Sequence, residues 1–288
     1  MDINELFNAK PAEKTIDPSK PGQRILSLVS FLNAKPLVYG LEKRIVQHDF
    51  ILQKDVPSVC AQRLKEGEVD LGIIPSIEYA QSKGSWKIIP DLCISSKGAV
   101  KSVNLFFKKD LQDLNVIALD TSSRTSVALL KIILKEKFQI EPEYMFMAPD
   151  LNEMFKKADA ALIIGDRALH YQAENPSHLD LGEEWYDLTG LPFVFALWAG
   201  HELSINKDDL EIVRQSYQAG KENLEEIARE FASVHPLAWD AYYDYLCKNV
   251  VYTFGEDEKE GLMEFYRYAF YFGLIKHIPE LLFYERPS

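Results

Sequence analysis

Asp120-Thr-Ser-Ser-Arg-Thr-Ser126 joins a predicted buried strand, residues 115–119, to a predicted packed helix, residues 125–137. Hydroxyl side chains and one arginine fill this junction. A strand that opens into a helix in this way exposes backbone N–H groups, which bind a carboxylate or phosphate with help from the helix dipole. The alternative is an ordinary helix N-cap, which Asp, Ser and Thr also supply. The density of hydroxyls favours the ligand site, because a cap needs only one of them.

Strands and helices alternate around this junction through the first two thirds of the chain. Strands are predicted over residues 24–30, 50–55, 69–74, 92–95, 103–108, 115–119, 144–147, 160–164 and 193–198. Helices are predicted over residues 31–41, 56–66, 75–80, 125–137, 151–157 and 166–172. This alternation predicts an α/β fold with parallel, doubly wound sheets, in which a second α/β unit is inserted into the first.

The last part of the chain is predicted to be helical. The hydrophobic pattern places helices over residues 208–232, 236–247 and 257–272. The third of these is rich in aromatic side chains, which we assign to the core rather than to a partner surface.

The composition is that of a globular protein and excludes two classes of binding partner. The chain has 288 residues, of which 47% are hydrophobic and 26% charged, enough for one large or two ordinary domains. Its net charge of −12 argues against a general nucleic-acid or anionic-membrane binder, since both need basic surface. A local site for a small anion remains compatible with this charge.

Cysteine usage and the N-terminal segment predict a cytoplasmic protein. Cys60, Cys93 and Cys247 are scattered, without metal-ligand spacing and in odd number, which fits a reducing compartment. Residues 1–22 are polar and lack the apolar centre of a signal peptide, so we expect a flexible leader. No apolar run is long enough to span a membrane.

Five motifs occur in order along the chain and together carry a family resemblance. They are Val29-Ser-Phe-Leu-Asn-Ala-Lys-Pro-Leu37, Asp70-Leu-Gly-Ile-Ile-Pro-Ser76, Gly98-Ala-Val-Lys-Ser-Val-Asn-Leu105, Asp120-Thr-Ser-Ser-Arg-Thr-Ser126 and Thr189-Gly-Leu-Pro-Phe-Val-Phe-Ala196. The set resembles the chorismate dehydratase family over about residues 24–275. Each motif alone is weak evidence for the family, whereas five motifs in the expected order are specific to it.

The predicted elements resemble the type II periplasmic-binding-protein-like fold, in which a ligand cleft lies between two lobes. We expect residues 23–102 and 197–288 to form lobe I, with a helical C-terminal return, and residues 103–196 to form lobe II. The family resemblance implies a lyase that converts chorismate to 3-[(1-carboxyvinyl)oxy]benzoate and water in the futalosine route to menaquinone. We expect no metal and no organic cofactor, a small-molecule substrate as the binding partner, and a monomer or homodimer.

Two other functions stay open. The first is 1,4-dihydroxy-6-naphthoate synthase of the same pathway, which shares the fold but typically has a Pro-Cys-Pro-Asn-like first loop that this chain lacks. The second is a non-catalytic protein that binds a small anion. A sensor of that kind usually carries an output domain, for which 288 residues leave no room.

The resemblance makes Asn33 the leading catalytic residue. Its amide cannot act as a base near neutral pH, so we expect it to orient or hydrogen-bond the substrate; the alternative is a helix N-cap. Ser30 shares its loop, Ser76 follows Pro75 at the end of a strand, and Ser102 matches the family pattern at the crossing between lobes. All three are predicted substrate contacts.

The remaining candidates lie in the second lobe. Ser123, Arg124, Thr125 and Ser126 are predicted to bind a substrate carboxylate. Gly165 and Asp166, which end a strand and open a helix, are also predicted substrate contacts. Asp166 is either an N-cap or the one plausible protein carboxylate near the cleft. The proton acceptor therefore stays open between Asp166 and the substrate's own enolpyruvyl carboxylate, the latter being implied by the resemblance.

Overall fold

The computed structural model describes residues 23–82, 86–174 and 177–285, so the predicted leader lies outside it. Its strands are β1 (Ile25–Val29), β2 (Ile51–Asp55), β3 (Leu71–Pro75), β4 (Trp86–Ser96), β5 (Val103–Phe107), β6 (Val116–Asp120), β7 (Glu143–Met147), β8 (Ala160–Ile164), β9 (His178–Asp180), β10 (Phe193–His201) and β11 (Val251–Phe254). Its α-helices are α1 (Lys35–Glu42), α2 (Pro57–Glu66), α3 (Ser76–Ala80), α4 (Thr125–Glu136), α5 (Leu151–Phe155), α6 (Asp166–Glu174), α7 (Leu181–Thr189), α8 (Lys207–Glu222), α9 (Leu224–Ala232), α10 (Trp239–Asp244) and α11 (Glu256–Tyr271).

Two sheets divide the described chain into the two lobes of a periplasmic-binding-protein-like fold. The first sheet has six strands in the order β11-β4-β10-β3-β1-β2, and the second has five in the order β7-β6-β8-β5-β9. We call the first lobe the first sheet with the helices packed on it, and the second lobe the second sheet with its helices. The residue boundaries predicted for the lobes remain a prediction; β10 pairs with β4 in the first sheet from Phe193 onward.

Buried apolar strands form the centre of each sheet. Every residue of β3 and of β8 is buried, as expected for strands covered by helices on both faces. Gly67 ends α2 in a left-handed conformation, with φ of 72°, which returns the chain to β3. These strand ends set the edge at which α3, α4 and α6 begin.

The strand directions correct the prediction of parallel sheets. The predicted parallel pairing is right for β1 with β2 and β3, and for β6 with β7 and β8. It is wrong for β4, β10 and β11 in the first sheet and for β5 and β9 in the second, which pair antiparallel. The antiparallel strands include those on either side of the crossings between lobes.

The C-terminal region differs from the all-helical prediction. The helix predicted over residues 208–232 is two helices, because Asn223 leaves the helical conformation at φ −121° and ψ 28°. The helix predicted from residue 236 begins at Trp239, and it passes into a π-helical segment, Tyr245–Asn249. The short strand β11 follows it, with Tyr252 and Phe254 buried on one face.

The aromatic side chains of α11 divide between core and surface. Phe265 and Tyr266 are buried, as predicted, whereas Tyr271 is 78% exposed. No helix in the described ranges combines the length and the apolarity needed to cross a membrane.

Candidate active site

A cavity lies between the two sheets, lined by residues of both lobes. Its polar lining consists of Asn33, Ser102, Ser123, Arg124, Thr125 and Ser126, together with the backbone at Gly165. Its apolar lining consists of Val29, Phe31, Pro57, Pro75, Ile94, Val100, Val103, Ile164, Phe195 and Ala196. A mostly apolar cavity with a few convergent polar groups is typical of a small-molecule site.

The N-terminus of α4 forms the polar wall of the cavity. The side chain of Arg124, at the N-cap, makes no capping hydrogen bond, so the first backbone N–H groups of α4 gain no partner from it. The Asp120 carboxylate does not cap the helix either; its Oδ1 accepts from the backbone N–H and hydroxyl of Ser122. Ser123 is buried, and its Oγ has no hydrogen-bond partner among the described residues. This wall therefore combines a helix dipole, hydroxyls and a guanidinium, which suits an anion.

Arg124 is the charged side chain of the lining, and it contacts a buried glutamate across the cleft. Its Nη1 lies 3.1 Å from Oε1 of Glu78 on α3. Burial raises the pKa of Glu78, and the positive charge of Arg124 opposes that rise. The pair joins the two lobes and places the Arg124 guanidinium at the cavity edge.

Thr125 and Ser76 form a second contact between the lobes. The Thr125 hydroxyl accepts a hydrogen bond from the Ile77 backbone N–H at 3.2 Å, and it lies 3.4 Å from Ser76 Oγ. Ser76 itself donates to the Val194 carbonyl at 2.7 Å and is not among the lining residues. Ser76 therefore lies behind the cavity wall, although Thr125 lines it.

Asn33 and Ser102 also line the cavity, and both contact Tyr245. Asn33 is in the 3-10 turn between β1 and α1, and its buried Oδ1 has no hydrogen-bond partner in the described part of the chain. The Tyr245 hydroxyl donates to Ser102 Oγ at 2.8 Å. Burial raises the pKa of Tyr245, while its hydrogen bonds with Ser102 and Asn33 oppose the rise. The three side chains form one buried polar group.

Asp166 lies beside the cavity rather than in it. Its Oδ1 accepts from the Leu32 backbone N–H at 2.9 Å, which joins the start of α6 to the loop after β1. Burial raises its pKa to about 6, and the Leu32 hydrogen bond and the charges of His235 and Lys35 oppose the rise. The carboxylate therefore makes a structural contact between lobes, and its pKa lies close to physiological pH.

The relatives of the chain come from one biosynthetic family. A family model described as menaquinone biosynthesis matches residues 25–271. Chorismate dehydratase from Thermus thermophilus is 34% identical over 262 residues, covering 84% of this chain and 93% of the relative. The chain belongs to the chorismate dehydratase family. The Campylobacter jejuni member is 32% identical over 177 residues, covering 60% of this chain and 65% of the relative.

Solved structures with the fold of this family member include distant binding proteins. A protein from Archaeoglobus fulgidus has a TM-score of 0.73 at 17% identity, covering 88% of this chain and 98% of its own. The aliphatic sulphonate binding protein of Escherichia coli has a TM-score of 0.61 at 16% identity, covering 93% and 96%. At these identities the likeness concerns the fold alone, and it agrees with the two-lobed architecture predicted from the sequence.

The family motifs bring most of the predicted site residues to one cavity. Asn33, Ser102, Ser123, Arg124, Thr125, Ser126 and Gly165 line it. Ser30 is exposed, and neither it nor Ser76 or Asp166 is among the lining residues. Sequence reasoning missed Glu78 and Tyr245, which touch the lining from behind. A buried acid in a short helix was a usable signal for Glu78, whereas Tyr245 was one of many aromatic residues in a helical region.

Proposed function

We propose that the protein is a cytoplasmic hydro-lyase that converts chorismate to 3-[(1-carboxyvinyl)oxy]benzoate and water, in the futalosine route to menaquinone. The observation that carries this proposal is that one cavity is lined by the first turn of α4, by the Asn33 amide and the Ser102 hydroxyl, and by apolar side chains. Chorismate has two carboxylates, one hydroxyl and a hydrocarbon ring, which match the α4 terminus, the pair Asn33 and Ser102, and the apolar lining.

The reaction needs positioning more than strong chemical activation. A proton leaves the ring carbon that bears the ether, its electrons complete the aromatic ring, and the hydroxyl on the adjacent carbon departs to form water. Because the product is aromatic, the driving force resides in the substrate. The protein binds a carboxylate at Arg124 and Ser126, packs the ring against Phe31 and Phe195, and holds the hydroxyl in line through Asn33.

We assign the proton transfer to the substrate's own side-chain carboxylate. The described lining contains no aspartate, glutamate or histidine. The alternative base is Asp166, whose pKa is raised by burial, but its Oδ1 already accepts a hydrogen bond from the Leu32 N–H. A carboxylate held near the ring by the enolpyruvyl ether is within intramolecular reach of the proton.

The experiment is direct. Purified protein is incubated with chorismate, and the product is followed by chromatography and mass. We expect loss of one water and an unchanged rate in the presence of a chelator. Persistence of chorismate, or activity that appears only with added metal, would contradict the proposal.

A further inference from the structure

The π-helical segment Tyr245–Asn249 is attached at both ends to the segment that crosses from the first lobe to the second. At its start, the Tyr245 hydroxyl donates to Ser102 Oγ at 2.8 Å. At its end, Asn249 Nδ2 donates to the Ala99 carbonyl at 2.9 Å. π-helical turns often occur at functional sites. Here the segment brings a buried phenol, only 2% exposed, against the cavity wall from behind.

The hydrogen bonds of Tyr245 decide which atoms of Asn33 and Ser102 are left to donate or accept in the cavity. The Tyr245 hydroxyl already donates its proton to Ser102, so its oxygen can only accept from Asn33, and the Asn33 amide therefore presents Nδ2 to Tyr245. Its other end, Oδ1, is then the atom left without a partner in the described structure, and it belongs to a residue of the cavity lining. Ser102 Oγ accepts from Tyr245, which leaves its own O–H free to donate.

We infer that Tyr245 is a positioning residue, which fixes Asn33 as a hydrogen-bond acceptor and Ser102 as a donor toward the ligand. The acceptor suits a ligand hydroxyl, and the donor suits a carboxylate or ether oxygen. This inference rests on the proposed function for its substrate, in which the hydroxyl that departs would be the group held by Asn33. Without the phenol, the Asn33 amide is free to turn its N–H₂ toward the cavity and repel that hydroxyl's proton.

The test compares two buried tyrosines. Tyr245→Phe should lower kcat roughly 10- to 100-fold and change KM much less, because the ligand still binds through α4. Tyr252→Phe is the matched control: its hydroxyl is also buried but has no partner in the described ranges, so kcat should be unchanged. In an Asn33→Ala background, Tyr245→Phe should lower kcat by a smaller factor than it does in the wild type, because Asn33, one of the two side chains it positions, is gone. Wild-type kcat in Tyr245→Phe, or losses that multiply fully in the double variant, would overturn the inference.

A second measurement needs neither activity nor a folded Tyr245 variant. In ¹⁵N-labelled wild-type protein, one side-chain amide proton of Asn33 should exchange with solvent at least about tenfold more slowly than those of the exposed Asn152. The resonance is assigned by its absence in Asn33→Ala. Equal exchange rates would refute the positioning even if the enzyme is active. Conversely, slow exchange in a protein that leaves chorismate intact would refute the proposed function and leave the positioning standing.

Discussion

Asp166 brings a carboxylate to the junction between the two lobes, and its protonation should show in the stability of the protein. Its pKa is raised by burial to about 6, so the folded protein binds this proton more tightly than the unfolded chain. This contribution is full at acid pH and is lost as pH rises between about 4 and 6. Asp166→Asn keeps an oxygen for the Leu32 N–H. We expect the free energy of unfolding of this variant, measured with urea at pH 7, to exceed that of the wild type by on the order of 1–2 kcal/mol.

The comparison is made across a pH series for both proteins. The difference in free energy of unfolding between variant and wild type should shrink toward about pH 4, where both folded proteins are uncharged at this position. An equal difference at every pH would show that Asp166 does not titrate in this window.

The same variant separates the two candidates for the proton acceptor. If the substrate carboxylate is the base, Asp166→Asn should keep appreciable turnover of chorismate. Asn33→Ala should lose at least about tenfold more in kcat, since the reacting groups are no longer held in line. An inactive Asp166→Asn protein with normal unfolding would move the base from the ligand to the enzyme.

Single residues were predictable where a motif or a strand end marked them. Asn33, Ser102 and the hydroxyls of α4 belong to the five family motifs and line the cavity. Tyr245 is 143 residues from Ser102 in the chain, and the pairing depends on how two lobes and a C-terminal helix meet. Periodicity carries no information on such a contact.

At the scale of elements, the first turn of α4 should show two different kinds of hydroxyl. Ser123 Oγ is buried without a partner among the described residues, so Ser123→Ala should cost little stability but weaken binding of the product by about 1–3 kcal/mol. Thr125 accepts from Ile77, so Thr125→Ala should also destabilise the protein by about 1 kcal/mol. Calorimetric titration and thermal unfolding of both variants measure the difference.

One outcome would contradict the prediction for Ser123. If Ser123→Ala leaves product affinity unchanged while lowering stability, the hydroxyl serves the fold, and the ordinary cap interpretation of this stretch is correct. Ser122→Ala, which removes a hydroxyl held by Asp120 outside the cavity lining, is the control.

Length alone does not decide which elements followed from the sequence. The five-residue helices α3 and α5 were predicted, whereas the nine-residue helix α7 was missed and only residues 92–95 of β4 were predicted. The twelve residues of α4 show a strong apolar pattern, and their predicted bounds differ by one residue. β9 has three residues and β11 has four, which is too few for a period to register. The break at Asn223 lies inside a continuous apolar stripe, so tertiary packing decides it.

At the scale of the whole molecule, Gly165 allows the lobes to approach. Its φ is 68°, and a Cβ there would lie 2.9 Å from the Phe31 ring of the first lobe. Gly165→Ala should therefore hold the lobes apart and weaken product binding by roughly tenfold or more. Small-angle scattering should show contraction on product binding in the wild type and less contraction in the variant.

Gly190→Ala serves as the control for backbone strain alone. Its φ is 72°, and a Cβ there meets nothing within 4 Å. Both variants lose stability from the positive φ, and only Gly165→Ala should alter the scattering change. Identical scattering profiles of wild-type protein with and without product would instead indicate a static cleft.

The strand order of the first sheet has a consequence for how the chain is made. β10 lies between β3 and β4, although about a hundred residues of the second lobe are synthesised before it. Until residue 201 leaves the ribosome, β3 and β4 present unpaired edges while the second sheet already has all its strands. Nascent chains halted before Phe193 should thus contain a protease-resistant second lobe beside an aggregation-prone N-terminal segment. The lobe that begins first during translation is the one completed last.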